Sequence, residues 1–468
     1  MVLLTALIQG MLSFWIKDTA HRGIVSTICV LVVLLYAIIS QTISSIPLLN
    51  LITPFHGVPI LVLVLAVVLI WRTLRATVEI KTFKFLNMLA VLLIAVSLAQ
   101  AAFGFAETSR ALTVQQVPVL STASQPDIYF LMFDEYTGPR ALNDLYGFDD
   151  SSFTQALADK GFYVASNSTS NYFGSLHSID SIFNLNYLKS FTNIATSKSY
   201  DPVLLESLIQ KNAVVSALKN SGYKFYQVGS WWNPTRSNIE ATTNFQAQPD
   251  LLNLPLFADH FLVDNTILQP VMNQLYPVSQ DTSTVPNQVE SVTNLAGQNF
   301  GPKFVFAHIL LPHAPNVYGA NCQDVSGKGY ADNNQEAYLN QVRCANKTIL
   351  AMVEQIQKKS ATPPIIIVQS DEGNELKYDA PSSVDAVPQS FEEKYSILNA
   401  FYFPDKNYSL LYPTITSVNT FRVVFQQYFG ANLPVLPDNN RLLTGVYDIN
   451  TAKDVTTIVQ NSLGFVAK

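Results

Sequence analysis

The chain has 468 residues, of which 49% are hydrophobic and only 13% charged, well below the ~25% charged residues of soluble domains. A formal net charge of −6 at pH 7 excludes the basic footprint that nucleic-acid binding needs. The charge deficit is concentrated before Phe105, and the remainder of the chain is long enough for a large α/β core.

Residues 24–40 and 85–105 are apolar runs near the ~20 residues that a membrane span needs. A third run, 48–71, is interrupted by Pro54, His56 and Pro59 and is strongest from Ile60 onward. Residues 2–16 form a shorter run that fits a clipped or tilted first span and lacks the basic start and cleavage site of a signal peptide. Residues 1–105 therefore read as a bundle of three to four transmembrane helices, with buried core helices as the alternative. Lys17 and Arg22 flank one loop, and Arg72, Arg75, Lys81 and Lys84 crowd another, whereas residues 41–55 carry no charge. Loops rich in Lys and Arg stay inside, so the chain after Ala106 is expected to face the extracytoplasmic side of the cell membrane. The predicted spans contain no cluster of charge, which argues against a transporter. Cys29 falls within a span. Cys322 and Cys344 are candidates for a disulfide outside, or for unpaired buried thiols. Asn167, Asn346 and Asn407 begin glycosylation sequons.

Residues 106–126 are polar and aperiodic and read as a linker, leaving 127–468 as the exterior domain. Its first strand, IYFLMF at 128–133, ends in Asp134 and Glu135. A helix over 153–160 is closed by Gly161 and followed by a short strand, 162–165. The stretch 166–188 begins as a loop and turns helical from Leu176, where apolar residues recur at helical spacing. Ser175, just ahead of that helix, fits an N-cap, and it also fits a nucleophile held among free N–H groups at a positive helix end. His177 and Asp180 lie close by, able to assist or to face solvent. A helix over 204–219, a strand over 223–228 and the aromatic turn SWWNP at 230–234 come next. These aromatics fit packing better than a pocket lining. Residues 278–299 have no strong period and read as a surface segment. FVFAHIL at 304–310 is another strand, with His308 read as a core residue inside it. His313 lies beyond, in a turn fixed by Pro312 and Pro315, where an imidazole can bind metal or an oxyanion. A helix over 338–356 leads to IIIVQSDEG at 365–373, a doubly buried strand that delivers Asp371 and Glu372 before Gly373. A strand over 397–403 and a helix over 418–428 complete the pattern. Strands alternating with helices predict a mainly parallel α/β sheet behind the membrane helices.

Ligands in open α/β sheets sit beyond the carboxyl ends of the strands. Two buried strands tipped with acid pairs there bring four carboxyls around one point, which repel unless a cation neutralises them. Oxygen-rich sites favour hard divalent ions such as Mg²⁺ or Mn²⁺. Either pair alone reads as a helix cap; the repetition favours metal.

Six stretches, in order, resemble the membrane-anchored sulfatase-like proteins of the alkaline phosphatase superfamily, relatives of lipoteichoic acid synthases and phosphoethanolamine transferases. They are PDIYFLMFDEY, SNYFGSLHSIDSIFNLNYL, FVFAHILLPHAP, IIIVQSDEG, ILNAFYFP and LYPTITSVNTFRVVFQQYFG, spread over about residues 126–438. The resemblance implies a sulfatase/alkaline-phosphatase-like α/β domain with a divalent metal held by Asp134, Asp371 and Glu372, with Glu135 beside them. Glu372 stands where the family usually has His, which favours Mn²⁺ or Mg²⁺ over Zn²⁺ or Ca²⁺. Ser175 falls on the nucleophile and His313 on the substrate-contacting histidine. The sulfatase maturation signal C/S-x-P-x-R does not start at Ser175, so no formylglycine is expected there and an unmodified serine suits phosphoryl transfer. The implied function is a metal-dependent phosphoester hydrolase or phospho-group transferase acting on membrane lipid headgroups or envelope glycans. A catalytically inactive binding module and a sulfuric ester hydrolase are the alternatives.

Overall fold

The computed structural model describes residues 2–44, 57–75, 88, 117–121, 125–190, 202–245, 284–326, 334–443 and 452–464. The chain divides into two compact units, residues 1–105 with 250–278 and residues 106–249 with 279–468.

In the first unit, helices span Val2–Ser13, Thr19–Ser44 and Gly57–Arg75. Among the described residues, no helix is long and apolar enough to cross a membrane. Large apolar side chains are exposed here, among them Phe14 (81%) and Trp15 (87%) in the turn after the first helix and Val67 (64%) on the third. The predicted span 85–105 lies outside the described residues except for Met88, and most of the predicted linker does too.

The second unit is built on a seven-stranded sheet. Its strands are β1 (Ile128–Phe133), β2 (Tyr163–Val164), β3 (Lys224–Val228), β4 (Thr243–Phe245), β5 (Lys303–Ile309), β6 (Ile365–Gln369) and β7 (Asn399–Tyr402), in the spatial order β2-β7-β6-β1-β5-β3-β4. β6, β1, β5, β3 and β4 run parallel, and β7 pairs antiparallel with both β6 and β2. β1, β5 and β6 are buried at every residue, because helices cover both faces and each pleat points alternate residues to opposite sides. Phe130, Phe306 and Ile367 pack on one face with Ile179, Leu208, Val214 and Phe421. Leu131, Val305 and Val368 pack on the other with Leu142, Leu157, Val292 and Ile349. The result is a helix–sheet–helix sandwich whose carboxyl edge gathers the ends of β6, β1 and β5.

Two expected elements differ. The predicted helix 204–219 is two, Pro202–Gln210 and Ala213–Asn220, because Asn212 leaves helical geometry and caps the second through Val215 N–H at 2.8 Å. Residues 278–299 contain a helix, Thr284–Ala296, whose buried side includes Val285, Gln288, Val292 and Leu295. The polar Gln288 hides the apolar period because it is buried for its hydrogen bonds, not for its hydrophobicity. Cys322 and Cys344 form a disulfide, with Cα atoms 4.9 Å apart.

Candidate metal centre and active site

Asp134, His308 and Asp371 meet at the carboxyl edge of the sheet. β1 and β6 each place an acid just beyond their last residue, while β5 contributes the imidazole from within its own last turn of pleat. The three side chains offer donor atoms that all lie within 4.8 Å of one another, with His308 Nε2 3.6 Å from Asp134 Oδ2. All three are buried. Asp134 Oδ1, both carboxyl oxygens of Asp371 and His308 Nε2 have no hydrogen-bond partner. Ser175 and Asp134 sit near enough to Asp371 to influence it, yet no well-formed hydrogen bond joins them. Each buried polar atom left unpaired costs about 1–3 kcal/mol, and four in one place is the pattern a cation relieves. The residues therefore fit a divalent metal. Without one, burial and then the neighbouring Glu372 carboxylate push Asp371 up to about 7. Asp134 is raised well above the carboxylate range by burial and by Asp371. Burial drives His308 down to about 3, so its ring is neutral.

A second group lies beside the first. Glu372 is not among the residues whose donor atoms converge. It accepts hydrogen bonds from Gly174 N–H and from Ser175 Oγ (3.2 Å), and its Oε2 is 3.0 Å from Lys394 Nζ. Glu135 is also turned aside: its backbone takes a left-handed φ of 58°. Its carboxylate accepts from Asn374 at 3.0 Å and faces Lys394 and His313, each at 3.9 Å. The physical reason is Lys394, which is 4% exposed at its side chain and also meets Glu375 at 3.1 Å. A buried ammonium gathers carboxylates that would otherwise neutralise a metal. Burial raises Glu135, and the opposing pull of His313 and Lys394 lowers it less.

Ser175 opens the helix Ser175–Phe183, and Gly174 occupies the N-cap without a side-chain cap bond. The hydroxyl is therefore not spent on capping. The helix start is tied to the acid-bearing turn by Ser178 Oγ, which donates to the Asp371 carbonyl at 2.6 Å. Gly373 is required where that turn passes the next helix, since a Cβ there would lie 1.9 Å from the Glu393 carbonyl oxygen. His313 is 30% exposed at its side chain, its Nδ1 meets the Ala314 carbonyl, and its backbone N–H donates to Asp134 O at 3.2 Å. His177 and Asp180 are both buried rather than solvent-facing; burial lowers His177 to about 4 against the opposing pull of Glu372, and burial raises Asp180.

Reasoning from sequence missed His308 and Lys394. For His308 the available signal was a histidine near the carboxyl end of a core strand that alternates with Phe306 and Phe304. For Lys394 nothing in FEEKY distinguishes it from a solvated lysine.

A mainly parallel sheet with acids and an imidazole at its carboxyl edge and a serine at a facing helix start is the arrangement of an α/β enzyme. The chain belongs to the Sulfatase family, whose profile matches residues 131–424, and so is a hydrolase or transferase of the alkaline phosphatase superfamily. Similar solved structures include the C-terminal periplasmic domain of EcEptC from Escherichia coli in complex with Zn (10% identity, 75% of this chain and 100% of that one, TM-score 0.47). Another is the integral membrane protein lipooligosaccharide phosphoethanolamine transferase A from Neisseria meningitidis (14%, 86% and 81%, TM-score 0.39). A third is a 2-O GAG sulfatase (14%, 70% and 75%, TM-score 0.40). No curated protein matches the sequence.

Proposed function

We propose that the chain is a membrane-anchored, metal-dependent phosphoester hydrolase or phospho-group transferase that uses Ser175 as its nucleophile. The observation that carries this is the juxtaposition of four unpaired, buried donor atoms with a serine hydroxyl already bonded to a carboxylate. Asp134, His308 and Asp371 would hold the ion, which supplies Lewis acidity and lowers the pKa of a nearby hydroxyl. A set of two carboxylates and one imidazole suits Mn²⁺, and the nitrogen donor admits Zn²⁺ more readily than an all-carboxylate set does.

Ser175 Oγ attacks phosphorus while Glu372 Oε1 takes its proton, and Lys394 keeps that carboxylate in place. The Oγ–P bond forms as the bond to the leaving oxygen breaks, and His313 Nε2 gives that oxygen its proton. The N–H groups of the helix opened by Ser175 favour the phosphoryl oxygens. Water or a second alcohol then attacks the phosphoserine and gives its proton to His313, and Ser175 recovers its own from Glu372. Exposed Leu7, Met11 and Val67 on the N-terminal helices, with Arg72 and Arg75 closing the third, support an anchor of residues 1–105 in a bilayer. A linker over 106–126 would then carry the catalytic domain 127–468 outside. A lipid headgroup or envelope glycan is the substrate class such placement supports.

The test uses the full chain in detergent with elemental analysis and an aryl phosphate and an aryl sulfate side by side. Metal-dependent phosphate turnover, a phosphorylated Ser175 and loss of both in Ser175→Ala are expected. Turnover of sulfate alone would assign a sulfuric ester hydrolase. A metal-free protein inert toward both would mark a binding module and overturn the proposal.

A further inference from the structure

The aromatic turn Ser230–Thr235 has no part in the proposed reaction, yet it contacts both histidines of the site. Trp232 packs edge-on against His308 with ring centroids 5.6 Å apart, and Trp231 does the same with His313 at 5.9 Å. Thr235 Oγ1 lies 2.8 Å from His308 Nδ1, and Ser230 Oγ lies 3.0 Å from Thr235 Oγ1. Ser230, Thr235 and His308 are all buried, so solvent cannot substitute for any of these bonds.

We infer that Thr235 is a positioning residue that fixes the tautomer of His308 and so presents its Nε2 lone pair to the metal. The inference rests on the metal centre proposed above. The ring of neutral His308 carries one proton, on Nδ1 or on Nε2. On Nε2 it would be a buried donor with no hydrogen-bond partner, since that atom has none and the nearest carboxylate oxygen is 3.6 Å away. On Nδ1 it is satisfied by Thr235 at hydrogen-bond distance. Leaving a buried donor unmade is the costlier arrangement, which puts the proton on Nδ1. Thr235 Oγ1 then accepts from the imidazole and donates its own hydrogen to Ser230 Oγ, which also accepts Trp232 N–H at 3.1 Å.

The turn is built to hold that geometry. Gly229 passes so close beneath its far end that a Cβ would lie 1.8 Å from the Arg236 carbonyl oxygen. Gln227 Nε2 donates to the Thr235 carbonyl at 2.7 Å. Gln288 Nε2 donates both to the Gly229 carbonyl at 2.8 Å and to the His308 carbonyl at 2.7 Å. The side chain and the backbone of His308 are thus referenced to the same turn. Partners behind a ligating histidine commonly set metal affinity by about 10–100-fold.

The experiment measures Mn²⁺ and Zn²⁺ affinity of the full chain by chelator competition, for the wild type, Thr235→Val and Thr235→Ser. Thr235→Val keeps the shape and removes the acceptor; it is expected to weaken metal binding by about 10–100-fold. Thr235→Ser keeps the hydroxyl and is expected to stay within about threefold of wild type. Nitrogen NMR of ¹⁵N-histidine-labelled wild-type protein, with the signal assigned through His308→Gln, should show the proton on Nδ1. Equal affinity in Thr235→Val, equal losses in the Val and Ser variants, or a proton on Nε2 would each overturn the inference. Should Thr235→Val not fold, Ser230→Ala replaces it, with a smaller loss of the same sign, and unchanged affinity there would also overturn it. A wild type that binds no metal would instead defeat the proposed function, so the two failures are distinguishable.

Discussion

Replacing Lys394 with methionine tests the electrostatic partition of the site. The ammonium is almost fully buried and lies 3.0 Å from Glu372, 3.1 Å from Glu375 and 3.9 Å from Glu135. Glu375 is half exposed, so its pairing is screened and contributes under about 1 kcal/mol. Glu372 is buried and the Glu135 side chain is only 12% exposed, and removing one partner from a buried pair costs about 3–5 kcal/mol, because the remaining charge stays unpaired. Methionine fills most of the lost volume, so packing adds little. The expected loss is therefore about 3–5 kcal/mol near neutral pH, read from urea unfolding of the metal-free protein. Its pH dependence comes from Glu135, which burial already raises and Lys394 lowers. Without the lysine its folded pKa rises further above the unfolded value. An acid raised in the folded state binds more protons there, so the variant's deficit should shrink as pH falls from about 8 to about 5. A loss below about 1 kcal/mol, or a deficit independent of pH, would refute the assignment of Lys394 as the counter-charge of this group.

Asp371 is raised from 3.8 to about 7 by burial, so the metal-free fold should lose stability as pH rises from about 4 through about 7; melting curves with and without Mn²⁺ should diverge most above that range. A flat metal-free profile would contradict a buried, unpaired Asp371. Gly373→Ala puts a methyl 1.9 Å from a backbone oxygen and should cost on the order of 3 kcal/mol, seen as a lowered unfolding midpoint. Reducing the Cys322–Cys344 bond, which closes a separation of 22 residues, should cost about 3 kcal/mol; a Cys322→Ser, Cys344→Ser double variant checks this by the same unfolding measurement.

The central strands were legible because burial on both faces leaves an unbroken apolar run, as in IYFLMF and IIIVQ. The positions of Asp134, Asp371 and Ser175 followed from where those runs end and where helical spacing begins. The division of the four acids between two groups was not legible. It depends on Lys394, which arrives from a helix far along the chain, and on a left-handed φ at Glu135 that no propensity demands of glutamate. His308 was hidden for a related reason: a strand position reports burial, and burial alone does not distinguish a packed imidazole from one aimed at carboxylates. The helix Thr284–Ala296 was missed because its buried Gln288 serves hydrogen bonds to two carbonyls rather than the apolar period.

The register of the sheet also constrains how the molecule comes into being. Ile128 lies between Phe304 and Ile365, and the backbone N–H of Tyr136 is bonded to Ser370, 234 residues away. A nascent chain that has not yet reached Lys303 carries β1 with both edges bare, the condition in which strands adhere to other chains. Truncations anywhere before β6 should be inert and prone to clump, because the cluster of Asp134, His308 and Asp371 does not exist in any early fragment.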